Sequence, residues 1–406
     1  MNVCYLNLDG NLNSPALWVF WAACGLLAYA YAGYPILLAA ISVFAPKRTG
    51  KAGYCPSVTV LISAYNEEKS IGRKIRDTLA LDYPPAKLDI LVVSDCSTDA
   101  TDQVVRELRD PRVRLLRVEG RRGKTFAQNE GVRQCSGEVV VFSDATTVYH
   151  PQSIRRLMAH YADPKVGAVS GRYKYFDAEG ASPTGLGSVA FWNYENLIKM
   201  MQSRIATLTG CSGCIYSVRK SCYVPLPQDA CSDLVEALRI VENGFRVAFE
   251  PAALAYEETT VSSRQEFRMR VRVGTRGMRG VLGVPRLLTP WRRPWIAFQL
   301  TSHKIMRWLV PVFLVACFVS CSALAAQPLF RWLFALQVAF YGFALLSLVL
   351  PVHRYWKLLG LPLFFCTLNG AVAVSLVEVV RGRRYTTWET VRTGPAAGAV
   401  AATEGR

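Results

Sequence analysis

Four apolar residues, Val139 to Phe142, run directly into Ser143 and Asp144 in the stretch VVVFSDATTVYHP. A carboxylate at the end of a buried strand is costly unless something pairs with it. A divalent cation is one such partner. A second acid two residues on would complete a ligand pair, but Thr146 stands there. A strand that simply ends in a turn is the alternative. The same change from apolar run to polar residues recurs at Ala64-Tyr65-Asn66-Glu67 and at Ser94-Asp95. Lys124 in RRGKT is a further residue able to do chemistry, and Asp233 in CSDLVEAL is singled out by the resemblance described below. Each has a purely structural competitor. Glu236, three residues after Asp233, makes a capping box. Lys124 could be a solvated lysine at a helix start, Tyr65 could be core, and helix capping suffices for Asp99.

The elements that must position these residues are legible. Val58–Ala64 is a continuous apolar run, with Asn66 capping a helix from Glu67 to about Leu81. Leu88–Ser94 repeats the pattern before a helix from about Asp99 to Leu108. Val113–Val118 is a third strand, Lys124–Gln134 a helix and Val139–Phe142 a fourth strand. Uniformly apolar strands separated by helices predict parallel pairing with both faces covered. This is a doubly wound α/β domain, in which ligands bind beyond the carboxyl ends of the strands.

Two nucleotide motifs fail at those ends. AYNEEKSIG replaces the GxGxxG that hydride-transfer enzymes need, and VEGRRGKT lacks the first glycine of a P-loop. The net charge of +17 concentrates in residues 264–293, which hold nine Arg against one Glu. That stretch stands just before apolar segments, which favours lipid headgroups or a phosphorylated substrate over nucleic acid. The 12 cysteines suit a reduced compartment. Cys211-Ser-Gly-Cys214, with Cys222 and Cys231 downstream, lacks the spacing of a zinc site, so small apolar packing is expected.

Residues 17–45, 308–330, 332–350 and 358–377 carry no charge, and each is long enough to cross a bilayer. Residues 1–16 hold no Lys or Arg, whereas Lys47, Arg48 and Lys51 follow the first span. This places the N-terminus outside and the intervening domain in the cytoplasm. Three C-terminal crossings would put Arg381-Gly-Arg-Arg384 outside, against that rule. Residues 358–380 are therefore expected to lie in the membrane without crossing it. The final GPAAGAVAATEGR is expected to be disordered.

VTVLISAYNEEKSIGRKI, ILVVSDCSTDATDQVV, RRGKTFAQNEGV, VVVFSDATTVYHP and CSDLVEALRIVENGFRVAFEPAALAYEE occur in this order. Together they resemble the membrane-embedded family 2 glycosyltransferases of the polysaccharide-synthase type, which include cellulose, hyaluronan and poly-N-acetylglucosamine synthases. The likeness covers roughly residues 55 to 305 and continues through SHKIMRWLVP. It implies a Rossmann-like GT-A domain with a mixed, mostly parallel sheet, and inverting transfer from a nucleotide-diphosphate sugar with Mg or Mn. By the same resemblance Ala64, Tyr65 and Glu67 line the nucleobase and ribose pocket, and Asp95 holds a uracil-like base. Lys124 approaches the diphosphate, Asp144 binds the metal and Asp233 is the catalytic base. Gly210 to Cys214 form a small-residue loop under the acceptor.

The likeness divides the chain into a transmembrane helix (1–46), a cytoplasmic GT-A domain (47–260), Arg-rich interfacial helices (261–306), transmembrane segments (307–380) and a tail (381–406). The complete acceptor-side motif Gln-x-x-Arg-Trp is not present. Read from Glu266, EFRMRVRVGTRG holds Arg268, Arg270, Arg272 and Arg276 but neither Gln nor Trp. Arg270 and Arg272 are expected on the diphosphate, or on anionic headgroups. TTWETVR resembles the family's cytoplasmic tail. Three functions follow. The first is growth of an envelope or extracellular polysaccharide from a UDP-sugar at the inner membrane. The others are transfer of one sugar to a lipid or polyprenyl-phosphate acceptor, and a non-catalytic membrane subunit of a synthase. Thr146 leaves Asp144 as a one-carboxylate metal site that forms only with donor present.

Overall fold

The computed structural model describes residues 14–45, 53–176, 185–258, 263–350 and 357–388. The expected disorder of 394–406 lies outside these residues.

Eight strands form one sheet in the order β3-β2-β1-β4-β7-β6-β8-β5. β1 (Val58–Ala64), β2 (Leu88–Asp95), β3 (Val113–Val118) and β4 (Val139–Asp144) lie parallel. β1, β2 and β4 are nearly all buried, as their apolar runs require, whereas the edge strand β3 carries Arg114 and Arg117 and is half-exposed. β5 (Val148–Tyr149), β6 (Val166–Phe176), β7 (Ile215–Arg219) and β8 (Arg246–Glu258) extend the sheet. β7 runs antiparallel to both β4 and β6, so the sheet is mixed and mostly parallel. In register, Ser63 of β1 opposes Asp144 and Ala64 opposes Ser94. The carboxyl ends of three strands therefore share one edge.

In chain order the helices begin with α1 (Pro15–Ala28) and α2 (Tyr34–Phe44), joined by a single π-helical turn into one 30-residue helix. α3 (Ile71–Leu79), α4 (Thr101–Glu107), α5 (Lys124–Gln134) and α6 (Ser153–Met158) cover the sheet. α7 (Gly185–Ile205), α8 (Ser232–Glu242) and α9 (Ser263–Leu282) follow. α3 starts four residues later than predicted. Asn66 does not cap it: with φ of 53° it turns the chain, and its Oδ1 accepts from the Thr98 N–H at 2.9 Å. The Glu67 and Glu68 N–H groups donate to Thr101 Oγ1 and Asp99 Oδ2, which stitches the loops after β1 and β2 together.

The apolar C-terminal part comprises α10 (Pro294–Leu300), α11 (Met306–Trp308), α12 (Val310–Ala323), α13 (Pro328–Val349) and α14 (Leu361–Val380). Pro15–Phe44, Pro328–Val349 and Leu358–Val380 are each long and apolar enough to cross a membrane. Pro294–Trp308 and Val310–Ala323 make a fourth candidate, bent by 53°. The expected single span 308–330 is thus corrected: α12 is 14 residues, about 21 Å at 1.5 Å per residue, and a turn separates it from α13. The break falls there, and 358–380 is an unbroken helix. α14 nevertheless leans on α7 and α9, one toward each of its ends. Phe364 packs toward Phe191 of α7, and Ser375 Oγ donates to the Val271 carbonyl of α9 at 3.1 Å.

Candidate active site

Residues from β1, β4, β8, α5, α8, α9 and the C-terminal segment surround a cavity of about 240 Å³ beyond the strand ends. Glu67, Lys124, Asp144, Asp233, Glu257, Arg272, Arg276 and Trp388 are among its walls.

Lys124 begins α5 after the turn Gly120 to Gly123, whose two glycines take φ of 70° and 98°. Asp95 builds this turn. It is 0% exposed, and the Arg122 and Gly123 N–H groups donate to its Oδ1 (2.9 Å) and Oδ2 (2.8 Å). Asp95 is not among the cavity walls, and its two oxygens hold the backbone that aims Lys124, a role beside the expected contact with a base. Lys124 Nζ is ion-paired with Asp144. Burial pulls the ammonium down, but Asp144, with Asp233 and Glu257 nearby, outweighs this and holds it above the usual lysine value. One cation and one carboxylate thus meet at the end of β4.

Asp233 faces them from the first turn of α8. The capping-box alternative does not form, because Glu236 Oε1 accepts from the Val224 N–H at 3.1 Å instead. The Cys231 thiol donates to Asp233 Oδ1 at 3.1 Å. The loop from Gly210 to Cys214 runs beneath it: the Cys211 N–H donates to the Asp233 carbonyl, and a Cβ on Gly213 would stand 2.9 Å from Asp233 Oδ2. Cys211, Cys214 and Cys222 are buried free thiols, as apolar packing predicts.

Glu236 is 1% exposed, and burial pushes its carboxyl up to about 8, from an ordinary 4.5. The native state therefore holds a proton that the unfolded chain releases, and stability falls as pH rises from about 4.5 through 8. Glu236→Gln is expected to flatten this slope, so melting curves at pH 5 and pH 8 should differ less in the variant than in wild type.

α9 is not only an interfacial helix. Met269, Arg272, Val273 and Arg276 line the cavity, so the helix belongs to the site. Arg276 donates to Thr125 Oγ1 at 2.8 Å and to the Ala230 carbonyl, fixing the approach to Asp233. Arg270 lies elsewhere: it pairs with Glu266 and sits over the rings of Phe191 and Phe364. The expectation that it meets a diphosphate is corrected, since Arg270 does not line the cavity, whereas Arg272 and Arg276 do. They are four residues apart, a spacing that puts them on one helix face. Gln265, one residue before the stretch read as lacking it, supplies the first position of the acceptor motif. Gln265-x-x-Arg268-Met269 departs from the pattern only where Met replaces Trp.

Ala64 is buried at the end of β1, outside the cavity wall. Tyr65 stacks beneath the Arg121 guanidinium (3.9 Å) and meets the Trp388 ring edge-on at 6.2 Å. Trp388 comes from the C-terminal segment, which crosses the turn before α5: the Arg121 guanidinium donates to the Trp388 carbonyl, and a Cβ on Gly123 would overlap the Thr386 carbonyl. TTWETVR had pointed to a tail but not to the pocket. Its residues 389–392 lie outside the described part. Glu257 and Met269 were missed entirely.

The pocket oxygens of Asp144, Thr146, Asp233 and Glu257 are hard donors of the kind that suit Mg or Mn. Among the described residues no group of three or more His, Cys, Asp or Glu is gathered to hold a metal by itself. An ion here fits only with further oxygens, such as those of a phosphate.

The fold defines a class. The chain superposes on a mannosyltransferase from Pyrobaculum calidifontis, solved in complex with GDP-Man and Mn2+, with a TM-score of 0.69 and 23% identity. The overlap covers 90% of this chain and 100% of that one. This is the GT-A glycosyltransferase architecture. Residues 59–223 match the description Glycosyl transferase family 2, and the chain carries a family 2 glycosyltransferase domain. An N-acetylglucosaminyltransferase of Rhizobium meliloti is 25% identical over 344 residues, which cover 74% of this chain and 78% of that protein. Poly-beta-1,6-N-acetyl-D-glucosamine synthase of Staphylococcus aureus is 26% identical over 208 residues, covering 49% of each. The chain thus spans about half the length of several curated relatives that it matches.

Proposed function

We propose that this protein is an inverting glycosyltransferase that moves a sugar from a nucleotide-diphosphate donor onto a growing polysaccharide at the inner membrane. Its catalytic domain faces the cytoplasm. The observation that carries this reading is the placement of the Lys124–Asp144 pair and Asp233 on the walls of one cavity at the strand ends. The names of the two relatives above support N-acetylglucosamine as the sugar, and that of the Staphylococcus aureus protein supports a polymer as product.

Asp233 accepts the proton of the acceptor hydroxyl, and the acceptor oxygen forms its bond to the anomeric carbon as the bond from that carbon to the diphosphate oxygen breaks. Lys124 and Arg272 receive the charge of the departing nucleoside diphosphate. Mg or Mn held by Asp144 would supply Lewis-acid stabilisation of that charge. Glu67 lies on the same wall, where the nucleoside would rest; Tyr65 and Trp388 would flank it. A UDP-sugar is the expected donor. The apolar helices contact membrane lipid, with the N-terminus outside.

Met269, where the acceptor motif has Trp, favours a second reading: without an indole to stack on a glycan, one sugar is added to a lipid-linked acceptor. Purified membranes incubated with a panel of nucleotide sugars and Mg2+ or Mn2+ test both. A polymer upholds the first reading, a lipid bearing one sugar replaces it with the second, and no consumption of any donor overturns both.

A further inference from the structure

Asp144 lacks the second acid that its own strand end would offer, because Thr146 occupies that place. The sheet brings another acid to the same cavity. β5, four residues beyond Asp144, pairs with β8 so that Val148 opposes Tyr256, and the next residue of β8 is Glu257. Its side chain is 2% exposed and lines the same cavity as Asp144.

Three hydroxyls hold this carboxylate. Thr147 Oγ1 donates to its Oε1 at 2.8 Å, Thr146 Oγ1 lies 3.5 Å from the same oxygen, and the Tyr173 hydroxyl donates to Oε2. Beneath them the buried Lys74 ammonium donates to the Thr147 carbonyl at 2.7 Å. A carboxylate has about four lone-pair positions, so hydroxyl support and cation ligation coexist. Such outer contacts are what orient ligating carboxylates. The cavity wall carries four acids, Glu67, Asp144, Asp233 and Glu257, against three cations, Lys124, Arg272 and Arg276. With the Lys74 ammonium beneath, acids and cations stand at four each, so a divalent cation suits the site together with the charge of a nucleoside diphosphate.

We propose that Glu257 supplies, across the sheet, the second protein carboxylate of the divalent-cation site whose first is Asp144. This rests on the reading that the pocket takes a nucleoside diphosphate. It also replaces the expected one-carboxylate site with a two-carboxylate one.

The test uses the full chain in detergent and Mn2+ titration followed by electron paramagnetic resonance, with UDP or GDP present. Glu257→Gln is expected to weaken Mn2+ binding by about 100-fold or more, beyond the roughly 10- to 100-fold that loss of an outer contact costs, and adding Thr146→Asp to that variant should restore it. Unchanged Mn2+ affinity in Glu257→Gln overturns the proposal. So does a loss that Thr146→Asp leaves unrepaired in a protein that melts like wild type. If Glu257→Gln does not fold, pulsed resonance on Glu67→Gln protein carrying carboxyl-13C glutamate decides. A 13C coupling to Mn2+ upholds ligation by Glu257, and its absence overturns it. Failure of the wild type to bind Mn2+ with any nucleoside diphosphate strikes instead at the donor reading on which the proposal rests.

Discussion

Asp233→Asn is expected to lower sugar transfer by about 10²- to 10⁴-fold, the range in which a positioned base contributes. Nucleoside diphosphate binding should persist. Asn keeps the size of the side chain and an acceptor oxygen for the Cys231 thiol, which donates to Oδ1 at 3.1 Å. It cannot take a proton from the acceptor hydroxyl. The loop beneath should stay in place as well, because the Cys211 N–H bonds to the Asp233 main-chain carbonyl rather than to its side chain. Steady-state turnover with donor in excess, alongside calorimetric binding of the nucleoside diphosphate, separates these effects. Turnover equal to wild type would remove Asp233 from the role of base. Loss of turnover and nucleotide binding together would mean that the residue shapes the pocket.

Asp95→Ala should act through stability first. The two backbone N–H groups of Arg122 and Gly123 would lose their partners in a site that is 0% exposed. Each such loss costs about 1–3 kcal/mol, so roughly 2–6 kcal/mol in total is expected. Freed from its anchor, the turn no longer aims Lys124 at Asp144, and activity should fall even in protein that remains folded. Denaturant unfolding of the detergent-solubilised chain measures the first effect. A residue whose only role was to touch a base would leave the unfolding midpoint unchanged and raise the donor KM alone.

The difference between Asp95 and Asp144 shows where reading a chain by itself stops. Both follow an apolar strand, and both lie at the same edge of the sheet. The residue types alone do not distinguish an acid that faces the cavity from one that faces a turn. Gly123 was visible, but not that its N–H and that of Arg122 fold back 28 and 27 residues to Asp95. The Arg-rich helix is a milder case. Its four-residue periodicity separates Arg272 and Arg276 from Arg270, and the Glu266–Arg270 pair at the same spacing is a local signal. Gln265 was likewise readable once the motif was aligned one residue earlier.

The sequence by itself determined the α/β alternation, the parallel pairing of four apolar strands, the long apolar helices, and Lys124, Asp144 and Asp233 as residues of one site. The alternation, the pairing and the place of Asp144 follow from local patterns, since apolar runs must be buried and ligands of such sheets bind past the strand ends; Lys124 and Asp233 came from the motif resemblance. Only the tertiary structure decided that Glu257 and Trp388 join them. Glu257 arrives through the pairing of β5 with β8, more than 100 positions along the chain from Asp144, and Trp388 through a segment that returns from beyond the last apolar helix. No local periodicity encodes either meeting. Strand pairing and chain return depend on which surfaces the whole fold leaves to be covered, and that is settled only when the packed elements are in place.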